Sequence, residues 1–276
     1  MATNNIKTMQ LYHGANRILA DLEANGIGSR QPVTVEALNQ FDQLHYHGTK
    51  AIDAAIFQSN IKPDDKVLEV GSGWGGCARY IAHSTGAHVT AVELQSDYNQ
   101  VARDLSDKVG LSDKVAHINA DFLELETGNH TFDHAVSWLA LFHIPNRETY
   151  LRKLNDSLVA NGTLFVEDLY LRSPPTPDEA PDFQHHLHPN SLVPKDEYLT
   201  TLSDAGFDIS ETTDMTEDWT VFTGSRLQAF RQNRENYEAV HGAEGYTTIE
   251  TFYDKMAGYF QRGLVGGLRL SARRRG

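Results

Sequence analysis

The chain has one cysteine, Cys77, in 276 residues, so no internal disulfide can brace it. No stretch approaches the ~18 consecutive apolar residues of a membrane span, and Met1 to Gln10 is polar, without the apolar centre of a secretory signal. These absences lead us to expect a cytoplasmic protein. Positive charge is also short: 24 Lys and Arg against 37 Asp and Glu give a net charge of -13. A surface of that sign repels phosphate backbones and anionic lipid, which argues against nucleic-acid or membrane partners. The basic end, Arg269 and Arg273-Arg274-Arg275, is a local exception that reads as a solvated tail. There is no internal repeat and no low-complexity tract. Proline is sparse except in Ser173 to Pro181, which cannot continue a helix or a central strand and reads as a long excursion.

What is present begins with Val67-Leu68-Glu69-Val70-Gly71-Ser72-Gly73-Trp74-Gly75-Gly76, an apolar strand that runs straight into a turn with four glycines in six residues. Such a turn allows positive φ and lets a ligand approach the backbone. Cys77 to Ala82 then starts a helix whose amide-rich N-terminus faces the turn. Cys77 itself reads as a small packing residue there. About twenty residues on, a second apolar strand, His88 to Val92, ends in Glu93, where nucleoside-binding folds hold ribose hydroxyls with a carboxylate. The spacing Gly71-x-Gly73-x-Gly75 differs from the dinucleotide G-x-G-x-x-G, although Gly76 can occupy the last slot.

Further strands are expected at Val115 to Asn119, Phe132 to Trp138 and Gly162 to Asp168, with a helix from Arg147 to Leu158. Strands alternating with helices imply an α/β fold with a parallel, doubly wound sheet and ligands at the strands' carboxyl ends. After the proline segment, Lys195 to Ala205 reads as a helix stopped by Gly206, and Phe207 to Ser210 as a sixth strand. Trp219 to Arg234 and Tyr246 to Arg262 read as lid helices inserted before a last, antiparallel strand, Leu264 to Ala272. The layout is an N-terminal cap segment (1–50), a ligand-binding core (51–172) and the rest of the sheet with its helical lid (173–276). Phe41 to Gly48 is rich in aromatic and imidazole groups. Its rings either flank a bound cation, worth about 0.5 to 2 kcal/mol, or staple the segment to the sheet; Tyr12 is a weaker candidate of the same kind.

The glycine turn with Glu69, Gly71, Gly73 and Gly75 resembles motif I of the class I S-adenosylmethionine-dependent methyltransferases, which have a Rossmann-like seven-stranded sheet. The resemblance implies that Glu93 holds the ribose, that Asp121 bonds the adenine amino group and that Phe122 covers the ring. Two branches are closest, the sarcosine/dimethylglycine and the phosphoethanolamine N-methyltransferases. They share the Gly-Gly end of the turn with Cys77-Ala78-Arg79-Tyr80, the His47-Gly48 approach, and Ser137-x-x-Ala140-x-x-His143-x-Pro145, features spread over most of residues 41 to 170.

Carried over by position, the cofactor site comprises Leu44, His45, Gly71, Ser72, Gly73, Gly75, Glu93, Leu94, Asp121, Phe122 and Trp138, with S-adenosyl-L-methionine as cofactor. His143 and Tyr46 take the catalytic positions; an imidazole with its ordinary pKa of about 6.5 accepts a proton at neutral pH. Tyr12, His47, Tyr170, His186, His188 and Trp219 would line the acceptor site. Leu169, His188 and Asn190 stand where the phosphobase branch grips phosphate, while Leu187-His188-Pro189-Asn190-Ser191-Leu192 resembles the sarcosine/dimethylglycine passage. The nitrogen of a small amino acid or betaine precursor, sarcosine- or dimethylglycine-like, is therefore the leading acceptor, transformed by a monomer or homodimer. The alternatives are a natural-product O- or C-methyltransferase, including the lipid cyclopropane-forming type, and a non-enzymatic adaptor. His185, His186 and His188 with Glu167 or Asp168 have the composition of a metal cluster, but methyl transfer to an amine needs none, and no metal is expected.

Overall fold

The computed structural model describes residues 14–276 apart from Ser29 and Gln31; Tyr12 lies outside the described residues. Seven strands, β1 (Lys66–Val70), β2 (His88–Glu93), β3 (Val115–Asn119), β4 (Phe132–Trp138), β5 (Leu158–Leu171), β6 (Phe207–Asp214) and β7 (Val265–Arg274), form one sheet in the order β3-β2-β1-β4-β5-β7-β6. The first five are parallel, and β7 runs antiparallel to both its neighbours, β5 and β6. Strand order reverses between β1 and β4, which opens a crevice at their carboxyl ends. Val67, Leu68, Glu69 and Val70 of β1 are all buried, as a central strand covered on both faces requires.

Helices α1 (Arg17–Ala24), α2 (Val35–Leu38) and α3 (Thr49–Ser59) precede the sheet; α4 (Gly76–Thr85), α5 (Ser96–Lys108) and α6 (Arg147–Ser157) cross between its parallel strands. The proline segment does run out as a loop, but its last residues seed α7 (Ala180–Leu187), with Pro181 in the first turn, where a missing N–H costs nothing. After α8 (Lys195–Asp204) and β6 come α9 (Thr216–Gln232) and α10 (Arg234–Gln261), each longer than the sequence suggests. Gly242, with φ 74° and ψ 168°, breaks α10, so the second lid helix expected from Tyr246 is its downstream half.

Helices α9 and α10, the expected lid, are anchored by their own core, in which Phe142, Leu169, Trp219, Met256 and Phe260 pack with Tyr46 from the N-terminal segment. That segment also grips α10 through His241 and Asp21 at 2.6 Å. The basic end is not a solvated tail. Arg269 and Arg274 belong to β7, with Arg269 bonded to Glu167 of β5 (2.6 Å) and Arg275 just beyond to Asp208 of β6 (2.7 Å).

Candidate functional site

A cavity of about 1040 Å³, its open mouth included, occupies the crevice at the carboxyl ends of β1, β2 and β4. Gly71, Ser72 and Gly73 of the turn line it, as do Glu93 and Leu94 after β2, Asp121 and Phe122 after β3, and Trp138 at the end of β4. Leu44 and His45 close it from the N-terminal segment. Gly71 has φ +80°, and a Cβ there would stand 2.2 Å from the Ala140 Cβ, so β1 can leave the sheet this way only with glycine. Gly75 does not reach the cavity. A Cβ on it would meet His117 Cε1 at 2.5 Å, which makes it a packing glycine, and Gly76 lines the wall instead.

Glu93 is fixed by the turn it faces. One carboxylate oxygen accepts from the Gly73 N–H and the other from the Gln95 N–H, each at 2.8 Å. Burial raises its pKa against these bonds. Each oxygen keeps a second lone pair, the acceptor geometry a pair of ribose hydroxyls requires. No ligand is present, but the wall tests the fit of an adenosyl cofactor directly. Ser72, Trp138 and Glu69 line the cavity, and Ser72 Oγ, Trp138 Nε1 and Glu69 Oε2 are buried without a hydrogen-bond partner. Buried polar atoms in that state mark a missing partner. Burial pushes Glu69 up to about 8, so at neutral pH it is a neutral donor. The residues present suit the cofactor.

His45 and Cys77 complete the wall. His45 Nε2–H donates to the Gly48 carbonyl at 3.0 Å, which leaves Nδ1 to accept from the Cys77 thiol at 3.5 Å. Burial drives the thiol pKa well up, so Cys77 is an inert lining group rather than a nucleophile.

His143 ends a short 3-10 turn, Leu141–His143, that follows β4. The loop after α7 holds this turn: His143 Nδ1–H donates to the His188 carbonyl at 3.1 Å, Asn190 Nδ2 donates to the His143 carbonyl at 2.7 Å, and the Ser191 N–H donates to the Phe142 carbonyl at 2.9 Å. Arg147 locks the loop in turn, with Nη2 donating to the Ser191 carbonyl at 2.7 Å. With Nδ1 committed as donor, Nε2 of the neutral ring is the acceptor. Burial lowers His143 to about 3, which corrects the expectation of an ordinary imidazole that takes a proton at neutral pH.

A second pocket of about 370 Å³, its open mouth included, lies beneath α9 and α10, and Leu44, Leu139 and His143 line both spaces. Tyr46 and His186 line this inner pocket, with Phe142, Leu169, Leu187, Arg226, Phe252 and Met256. The other residues expected there lie elsewhere. Tyr170 faces the opposite side of β5 and donates to Asp214 at 2.9 Å; Trp219 is sealed in the lid core against Tyr46 and Gly267. His47 pairs with Asp218, and His188 contributes only its carbonyl to His143. Asp42, Leu139 and Arg226 are lining residues that sequence reasoning did not single out. Among the described residues no group of three or more His, Cys, Asp or Glu side chains is placed to hold a metal. Glu167 and Asp168 are engaged by Arg269 and by Tyr198.

The buried groups set a pH dependence for the free protein. Burial lowers His45, His117 and His143 to about 4, 3 and 3, from 6.5; their unfolded forms bind more protons in acid, so stability falls as pH drops below about 6.5. Burial raises Glu69 and Asp168 to about 8 and about 7, from 4.5 and 3.8; here the folded form holds the extra proton, and stability falls as pH rises towards 8. The expected result is a maximum in denaturant midpoint at about pH 6. A midpoint still climbing from pH 6 to 8 would contradict it.

Fold and site together have the features of the class of S-adenosylmethionine-dependent methyltransferases. Within it, the model of the mycolic acid cyclopropane synthetase family matches residues 39–268, most of the sequence, and the chain belongs to that family. The methyltransferase GfsG of Streptomyces halstedii is 28% identical over 65% of this chain and 66% of its own length. The sarcosine/dimethylglycine N-methyltransferase of Halorhodospira halochloris is 29% identical over 53% of this chain and 52% of its own. In fold, the chain superposes along 100% of its length on 61% of a Haemonchus contortus phosphoethanolamine N-methyltransferase 2, solved with phosphomonomethylethanolamine and S-adenosylhomocysteine, with a TM-score of 0.82 at 17% identity. The chain thus spans between half and two thirds of the length of these relatives.

Proposed function

We propose that this chain transfers a methyl group from S-adenosylmethionine to the amine nitrogen of a small acceptor seated in the inner pocket, acting in the cytoplasm as a monomer or homodimer. The observation that carries the reading is the junction of the two spaces at His143, Leu44 and Leu139, where donor and acceptor would meet. The N-methyltransferases among its relatives support the choice of nitrogen.

Glu93, Asp121, Phe122 and the turn from Gly71 to Gly73 would hold the nucleoside, and Trp138 with Ser72 would donate to the rest of the cofactor. Bound there, the cofactor supplies an electrophilic methyl on a sulfonium sulfur. The chain's own task is positioning and the exclusion of water. An amine must arrive neutral to attack. The apolar inner pocket disfavours an ammonium ion and lowers its pKa by desolvation. His143 Nε2, held as an acceptor, takes a hydrogen bond from the neutral amine and turns its lone pair towards the cofactor space.

A second reading, transfer to carbon or oxygen of an apolar acceptor, is favoured by the Leu, Phe and Met lining and by the family itself. Incubation with methyl-labelled cofactor and a panel of glycine, sarcosine, dimethylglycine, phosphoethanolamine, histidine derivatives and phenols separates the two. Label on an amine is the expected result. Label only on phenols favours the second reading, and calorimetry showing no binding of S-adenosylhomocysteine would overturn both.

A further inference from the structure

Arg226 stands in the inner pocket without a counter-charge. Its guanidinium carbon lies 4.3 Å from the Tyr253 ring centroid, 5.0 Å from Tyr46 and 5.4 Å from Phe222, and its Nε is buried with no hydrogen-bond partner. The other basic residues of α9 and α10 are paired: Arg231 with Glu250 and Asp254, Arg234 with Glu238, Lys255 with Asp182. Arg226 makes no ion pair among the described residues, and the undescribed ones include no Asp or Glu. No carboxylate lines the pocket either.

An arginine cannot shed its proton to escape burial. Aromatic faces offset part of the cost of desolvation, but a ring supplies no acceptor in the guanidinium plane, and Nε has none. The remaining polar lining cannot neutralise it, because an imidazole such as that of His143 or His186 is neutral or cationic and never balances a cation. The pocket therefore carries one positive charge in an apolar wall built from Leu139, Phe142, Leu169, Leu187 and Met256.

We infer that the acceptor bears a carboxylate, which forks onto Arg226, on an apolar body that fills the inner pocket: an amine-bearing carboxylic acid with a hydrocarbon or aromatic side chain. A monoanion balances the single cation, whereas a phosphate dianion would leave a charge buried. This inference rests on the methyltransferase reading for its acceptor role, while the anion preference belongs to the pocket alone.

The test is calorimetric titration of the full chain, with and without S-adenosylhomocysteine, using 3-phenylpropionate, 3-phenylpropionamide and phenyl phosphate. The carboxylate is expected to bind at least about tenfold more tightly than the amide. Arg226→Gln removes that preference and leaves S-adenosylhomocysteine affinity within about twofold, which also reports folding. Arg226→Lys, should the glutamine variant not fold, keeps the preference in weakened form, because the charge stays and the fork is lost. Equal binding of carboxylate and amide, or a preference that survives Arg226→Gln, overturns the inference. Tighter binding of the phosphate overturns the choice of a monoanion. A chain that ignores S-adenosylhomocysteine yet still prefers the carboxylate refutes the methyltransferase reading and keeps the anion site.

Discussion

Replacing Arg79 by methionine is expected to destabilise the fold by about 3 to 5 kcal/mol, because it strands a buried carboxylate. Arg79 is wholly buried and its partner Asp42 nearly so, with Nη2 and Oδ2 2.9 Å apart. Nη1 donates to the Ala102 carbonyl at 3.1 Å, so the side chain also ties α4 to α5. Asp42 presses on the glycine turn: a Cβ on Gly76 would stand 2.5 Å from the Asp42 carbonyl oxygen. Weaker cofactor binding should therefore accompany the loss of stability. The Arg79→Met/Asp42→Asn double variant should recover part of the loss, since neither charge is then left alone in the interior. Urea unfolding of the two variants measures both effects. A single-variant loss below about 1 kcal/mol would show that water reaches the pair and that the interior there is not dry.

The second large effect concerns His143. His143→Ala is expected to cut turnover by about 10² through lost positioning of the acceptor, with cofactor affinity changed only a few-fold. The reason is its place: it borders the cofactor cavity but makes its recorded hydrogen bonds to the loop after α7, not to the turn that would hold the nucleoside. Single-turnover rates and equilibrium titration with S-adenosylhomocysteine separate the two quantities. Equal losses in both would show that the ring merely props the wall. A neutral ring with Nε2 as acceptor also makes a distinction by substitution: His143→Asn, which keeps an acceptor, should retain more activity than His143→Ala.

Much of the lining of the larger cavity was readable from the chain alone because each part is local. A buried strand, a glycine turn and an acid one strand later are consecutive pieces, and Glu93, Asp121 and Trp138 sit where strand ends must place them. The inner pocket is different. Leu44, His143, Leu187, Arg226 and Met256 come from distant segments, and no spacing announces that a lid will bring them together. Phase along an element decided other outcomes. Leu169 faces the pocket and its neighbour Tyr170 faces away, because successive side chains of a strand point to opposite sides. Trp219 has the composition of a recognition residue, yet the close approach of Gly267 turns it into an anchor for the lid. Arg269 of β7 and Arg275 just beyond it read as solvated because their partners, Glu167 and Asp208, lie 102 and 67 positions away.

Because β7 threads between β5 and β6, the order in which the chain is made differs from the order in which its sheet can close. β6 emerges from the ribosome with its strand neighbour, β7, still unmade, and α9 and α10, residues 216 to 261, must follow before that neighbour appears. Pairing of the final two ladders is thus a late, long-range event. A nascent polypeptide halted within the roof would expose two bare edges at once, one on β5 and one on β6, the state in which a chaperone has most to hold.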